Sequence, residues 1–322
     1  MLTFIYIVNA DLFVVMVIRT SSLARRFGNF VAVDDITISV GKGEVFGFLG
    51  PNGAGKTTTV RMLACLIRPT SGSATVCGLD IGDRESASLI RKKVGILTES
   101  PGFYDNLTAT KNLRFFTDLY HINRETAEEA IRRYLRMFNL YDRKDHPVGG
   151  FSRGMRQKLA LIRCLLHEPE VLFMDEPTSG LDPGSARVVR EAILDLKKNG
   201  RTIFLCTHNL DEAERLSDKV AIINHHLLYS GTPAALKDTI YGQELVVRLE
   251  KLNPEIYNAV SSMSVVQAVE RSGDRMILRI HNPELHSPDV IDAIVRAGGR
   301  IRSVGELGHS MEDVYLKLTG DD

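Results

Sequence analysis

The sequence predicts an α/β protein in two parts. A mixed, largely parallel sheet with an antiparallel β layer and a helical subdomain comes first, and a small α+β domain follows. Three observations carry this. Short apolar runs (Glu44–Leu49, Val171–Met174, Arg201–Cys206, Lys219–Ile223) alternate with helical stretches, the pattern of parallel strands covered on both faces. A glycine-rich loop, Gly50-Pro51-Asn52-Gly53-Ala54-Gly55-Lys56-Thr57, sits between one such strand and a helix. From Glu244 onward the periodicity runs strand, helix, strand, strand, helix, strand. A length of 322 residues fits two domains.

The elements follow in order. Residues 1–18 are the most apolar stretch, interrupted by Asn9 and Asp11. The favoured reading treats residues 1–15 as an extension and Met16 as the true start. A peripheral or signal-like segment is a second reading. A spanning helix is the least favoured, because the stretch is barely long enough and Asp11 lies near its middle. The domain proper is expected over 16–230. Residues 17–45 alternate apolar and polar (Val33, Ile36, Ile38, Val40) and read as antiparallel strands. Residues 58–64 form the helix after the glycine loop, and Ser73–Val76 a further strand. Residues 107–142 turn to helical period through Leu113, Phe116, Leu119, Ile131, Leu135 and Phe138, marking a helical subdomain over 101–165. The second domain, 240–322, reads as strand 244–250, helix 254–263, strands 265–271 and 275–280, helix 288–297 and strand 300–306. That is the ferredoxin-like order, with a last helix over 310–318.

Composition narrows the classes. Forty basic and forty acidic residues balance, and no run of basic residues forms an arm for nucleic acid. Trp is absent and aromatics make up only 7 % of the chain, a poor base-stacking platform, so no nucleic-acid partner is expected. Cys65, Cys77, Cys164 and Cys206 lie far apart without metal-ligand spacing and read as reduced thiols.

The glycine loop carries the chemistry. It fits G-x-x-x-x-G-K-[ST], in which glycines let the backbone aim several N–H groups at one phosphate. Lys56 would reach the β- and γ-phosphates of a nucleotide and the Thr57 hydroxyl would hold Mg²⁺. The following helix points its positive end at the same place. Further on, Asp175 and Glu176 end a buried strand. Asp175 would act through the Mg²⁺ shell and Glu176 on a water facing the γ-phosphate. Ser179-Gly180-Leu181-Asp182-Pro183 follows, and Thr207-His208 ends the next strand. Ser152 would cap a helix beginning Arg153-Gly154-Met155, whose positive end can meet an anion. Read singly, the acid pair, His208 and the Ser152 helix start are also common structural features.

These motifs, in this order, resemble the nucleotide-binding subunit of an ABC transporter over residues 17–230: a P-loop ABC ATPase cassette. The resemblance places the phosphate loop at Gly50–Thr57 (Asn52, Gly53, Ala54, Gly55, Lys56, Thr57, with Thr58 beyond) and the acidic motif at Val171–Glu176. It puts the signature at Phe151–Met155, the D-loop at Ser179–Asp182 and the switch histidine at His208. It also implies an adenine-stacking aromatic at Phe27 and a Mg²⁺-touching loop residue at Glu99, where the family has glutamine. Glu99 keeps an oxygen but loses an amide donor. In the signature, Arg153 replaces the first glycine and Met155 the last glutamine, while Ser152 and Gly154, the phosphate-touching pair, remain. Gly95–Tyr104 and Met311–Tyr315 resemble the exporter branch that handles drugs and polysaccharides.

The resemblance implies an ATPase with ATP and Mg²⁺ as ligands. Two copies, a homodimer in the simplest case, would bury two ATPs, with Ser152, Gly154 and Asp182 serving the partner's nucleotide. Separately encoded integral-membrane permease subunits would be driven from the cytoplasmic face of the cell membrane. Two rivals stand behind this reading. One is a soluble ABC ATPase acting on ribosomes or DNA, which usually carries two cassettes. The other is a regulator with a degenerate site, against which Lys56, Glu176 and His208 argue.

Overall fold

Apolar residues recur through residues 16–40, and this stretch folds as antiparallel strands. β1 (Met16–Phe27) pairs with β2 (Phe30–Ile36), β3 (Ser39–Gly41) and β5 (Ser71–Val76), and β5 pairs with β6 (Leu79–Asp80). The structure is a computed structural model that describes residues 15–98, 102–280 and 282–319. The expectations for residues 1–14 and for Glu99 therefore lie outside the described residues.

The apolar runs do form parallel strands. β4 (Val45–Leu49), β7 (Val94–Leu97), β8 (Val171–Asp175), β9 (Thr202–Thr207) and β10 (Lys219–Asn224) lie in the order β10-β4-β9-β8-β7, with β11 (His226–Gly231) antiparallel outside β10. β4, β8 and β9 are buried along their whole length, which is why they carry no polar alternation. Phe46, Phe48 and Phe173 pack on Phe204 with ring centroids 5.0–5.6 Å apart. Such pairs add about 0.5–1.5 kcal/mol each beyond area burial.

Helices α1 (Lys56–Leu63), α2 (Arg84–Lys93), α6 (Pro183–Lys198) and α7 (Leu210–Leu216) link the strands. The helical subdomain holds α3 (Ala109–Leu119), α4 (Arg124–Met137) and α5 (Arg153–Leu165). Their caps are Thr108, Asn123 and Ser152, each accepting a backbone N–H of its own first turn. Of the residues in the helical period, Leu113, Ile131, Leu135 and Phe138 are buried in one cluster with Leu159 and Ile162 and Phe116 packs against it, whereas Leu119 is exposed at the end of α3.

The chain divides after Gly231. The second unit begins with α8 (Pro233–Tyr241), which the sequence reading left between its two domains. β12 (Glu244–Leu249), α9 (Pro254–Ser261), β13 (Val266–Ser272), β14 (Arg275–Ile280), α10 (Pro283–Arg296), β15 (Ile301–Glu306) and α11 (Met311–Thr319) follow. Its sheet has the order β13-β14-β12-β15 with every neighbouring pair antiparallel. The helix expected from Pro288 starts five residues earlier, at Pro283, and keeps Pro288 inside it. Asn282-Pro283 is the stronger start: the Asn282 side chain accepts from Leu285 N, and Pro283 takes a first-turn place where no N–H is needed.

Candidate nucleotide site

β4, β9 and β8 are adjacent and parallel, so their C-terminal ends lie side by side. Leu49 pairs with Thr207, and Cys206 with Asp175. The phosphate loop, His208 and the acid pair leave those three ends and meet at one edge, the place where open parallel sheets bind ligands.

The loop is shaped by absent side chains. Gly55 has φ +100°, and a Cβ there would lie 2.4 Å from Ala32 O. A Cβ on Gly50 would lie 2.4 Å from Ile223 O. Any larger residue at either place pushes the loop off its neighbours. Lys56 is 6 % exposed, and its Nζ donates to Gly50 O (2.6 Å) and Pro51 O (3.1 Å) while lying 3.9 Å from Glu176 Oε1. The ammonium is thus coiled inside the loop at the point where an anion would sit. The Thr57 hydroxyl donates to Asp175 Oδ2 at 2.6 Å. A hydroxyl and a buried carboxylate converging in this way are hard oxygen donors, the set that suits Mg²⁺.

Glu176 is a non-glycine residue with φ +50°. That backbone costs about 1–3 kcal/mol and persists where the surroundings impose it. Here Glu176 N donates to Cys206 O (2.9 Å), and the side chain is held from β9. Oε1 accepts from His208 N (2.9 Å) and contacts His208 Nδ1 (2.8 Å), while Thr207 Oγ1 is 3.4 Å from Oε2. An ionised carboxylate only accepts, so Nδ1 carries the proton in this contact and Nε2 is left for another partner.

These residues line one cleft of about 360 Å³ with Asn52, Gly53, Gly55, Thr58, Ser179, Ala32 and Phe30. Ala54 is buried beneath the loop, where its carbonyl accepts from His225 N. The expected aromatic, Phe27, is not among the lining residues, and the Arg25 guanidinium covers its ring at 4.4 Å. Phe30, its cross-strand partner in the β1–β2 hairpin, does line the cleft, 58 % exposed and edge-on to His225 at 6.0 Å. The signal was the hairpin itself: with only Gly28-Asn29 between them, the two rings share a face.

Ser152, Gly154 and Asp182 do not line the cleft; Gly154 and Asp182 lie near each other where α5 and α6 begin. Ser152 Oγ accepts from Met155 N (3.2 Å), and Asp182 caps α6 through Ser185 N (2.9 Å). The Ser185 hydroxyl and backbone hold the Asp182 carboxyl below its ordinary pKa. A Cβ on Gly154 would lie 2.7 Å from Ser185 Oγ, so the two helix starts abut. The Arg153 guanidinium lies against Gly180, where any Cβ would collide with it. Sequence reasoning passed over Gln157, Thr178 and Glu212. The Gln157 side chain donates to Pro177 O (3.0 Å), and Thr178 Oγ1 donates to Glu212 Oε2 (2.7 Å). Burial raises the pKa of the Glu212 carboxyl.

A sheet edge that gathers a phosphate loop, an acid pair and a switch histidine defines a nucleotide-hydrolysing cassette. The ABC transporter family profile matches residues 33–179. The daunorubicin resistance ATP-binding protein DrrA2 of Streptomyces coeruleorubidus is 34 % identical over 308 residues, covering 94 % of this chain and 95 % of the relative. The Nod factor export ATP-binding protein I of Rhizobium sp. (strain N33) is 35 % identical over 305 residues, covering 94 % and 97 %. A solved ATP-binding subunit of an ABC transporter superposes with a TM-score of 0.64 at 29 % identity, covering 70 % of this chain and 94 % of that one. The chain belongs to the ATP-binding proteins of ABC transporters. It is an ATP-binding, ATP-hydrolysing cassette. Among the described residues, no helix is long and apolar enough to cross a membrane.

Proposed function

We propose that the chain is the ATPase motor of an exporter. It works as a dimer with a second ATPase subunit, a homodimer in the simplest case, beneath separately encoded permease subunits at the cytoplasmic face of the membrane. The observation that carries the chemistry is the convergence of Lys56, Thr57, Asp175, Glu176 and His208 at three adjacent strand ends.

Lys56 exchanges its two carbonyl partners for the β- and γ-phosphates of ATP, a charge-assisted contact. Thr57 and Asp175 would hold Mg²⁺, with Glu99 as a further oxygen donor, and the ion would supply charge neutralisation on the phosphates. Glu176 polarises the attacking water, kept in place by the His208 N–H groups, whose Nε2 meets the γ-phosphate side. Phosphoryl transfer of this kind depends mostly on positioning and electrostatics. Ser152, Gly154 and Asp182, none of which lines its own cleft, serve the nucleotide of the partner subunit. Opening of the dimer after hydrolysis drives the permease.

Export as the direction is supported by the drug-resistance and Nod-factor-export relatives. Docking to a membrane partner is supported by the groove lined by Leu66, Ile96, Phe116 and Tyr120 with Arg91, Arg163 and His167, and by the exposure of Phe115 and Leu119 in α3. The test is Glu176→Gln. It should bind ATP like the wild type, lose at least about a hundredfold in turnover, and accumulate as an ATP-bound dimer. Near-normal hydrolysis would remove Glu176 from the catalytic role.

A further inference from the structure

Pro177 and Thr178 stand directly between the strained Glu176 and the turn that carries Ser179 and Asp182. Two helices hold this dipeptide. α5, whose first turn carries Ser152 and Gly154, reaches it through Gln157, which is 6 % exposed and donates to Pro177 O at 3.0 Å. α7, which begins just after His208, reaches it through Glu212, which is 3 % exposed and accepts the Thr178 hydroxyl at 2.7 Å. The second Glu212 oxygen, Oε1, is buried without a hydrogen bond, with Arg190 Nη1 of α6 at 4.0 Å. An acid buried in this way costs stability unless its bonds are good. Two local turns, Ser179 N to Glu176 O and Leu181 N to Thr178 O, stiffen the segment further.

We infer that Pro177-Thr178 is a mechanical joint between the hydrolytic carboxylate and the signature helix, with Gln157 and Glu212 as its positioning residues. The inference rests on the motor reading above and specifies how one site of that motor reports to another. A shift of Glu176 and His208 on loss of the γ-phosphate displaces the joint, because Glu176 is its immediate neighbour and His208 leads into α7. Gln157 passes that displacement to α5 and so to Ser152 and Gly154. A tie of this kind carries coupling only if its members act as a unit, so their substitutions should be non-additive.

The experiment uses the full chain and four variants: Thr178→Val, Glu212→Ala, their double mutant, and Glu212→Gln. Calorimetry reads ATP affinity, and a steady-state assay reads turnover on the same preparations. Thr178→Val and Glu212→Ala should each lose about tenfold or more in kcat with ATP affinity kept within about twofold, since nothing that touches the nucleotide is removed. The double mutant should lose no more than the worse single one. Glu212→Gln should recover most of the rate, because its amide oxygen still accepts the Thr178 hydroxyl. Additive losses, a parallel fall in affinity, or a Glu212→Gln variant as slow as Glu212→Ala would overturn the joint. If Glu212→Ala does not fold, Thr178→Val against Thr178→Ser decides: equal rates for the two would overturn it. Wild-type chain without ATPase activity would instead overturn the motor reading, which separates the two failures.

Discussion

Phe27 and Phe30 share a face of one hairpin and differ in what lies beside them. Arg25 lies over one face of Phe27, while Phe30 lines the cleft, and base stacking on Phe30 is the reading to test. Base–aromatic stacking is worth about 1–3 kcal/mol, so Phe30→Ala should weaken ATP binding roughly fivefold or more and leave inorganic triphosphate binding unchanged. Equal losses for both ligands in calorimetry would remove the ring from base contact. Glu212 gives a pH prediction. Burial lifts its folded pKa above the ordinary 4.5, so ionisation favours the unfolded chain as pH rises from that value through the folded one. The melting temperature of Glu212→Gln relative to wild type should therefore climb as pH rises above the ordinary carboxyl value, and a flat difference would contradict it. Glu99→Gln should raise the Mg²⁺ concentration needed for half-maximal ATPase activity, since a carboxylate holds a hard cation more strongly than an amide. An unchanged midpoint would place Glu99 away from the metal. Lys56, Thr57, Asp175 and Glu176 were legible because adjacent residues spell their chemistry. The placement of Phe30 and the contacts of Gln157 and Glu212 were not, since they come from a hairpin pairing and from bonds across 20 and 34 residues.

Among the elements, strands declared themselves through burial on both faces, and helices through their caps. Ser152 is such a cap, and Ser152→Ala should cost about 0.5–2 kcal/mol of stability. In the dimer reading it should also slow turnover while ATP affinity of the isolated subunit stays unchanged. A parallel loss of affinity would place Ser152 in its own subunit's site. Helix α10 shows where such signals compete. Pro283 and Pro288 both suit a first turn, and only the Asn282 side chain, folded back onto Leu285 N, decides between them. The two prolines alone could not decide.

At the scale of the whole chain, the division falls after Gly231, and the hydrophobic clusters of the described residues keep to one unit each, two in the first and one in the second. The β-α-β-β-α-β succession is present in the second unit, whose strands Leu245, Val247, Leu278 and Ile280 bury one face. The parallel sheet has one more consequence, for the experimenter. All its chemistry leaves the C-terminal ends of the strands, and the Asn199-Gly200 turn leads into the opposite end of β9. Six strand residues separate the two ends, roughly 16–20 Å at about 3.3 Å per residue. Gly200 is exposed, at φ +78°, and a Cβ there would meet nothing within 4 Å. A short epitope or fluorescent reporter spliced into that turn gives a handle for surface immobilisation or single-particle tracking that leaves the nucleotide edge free.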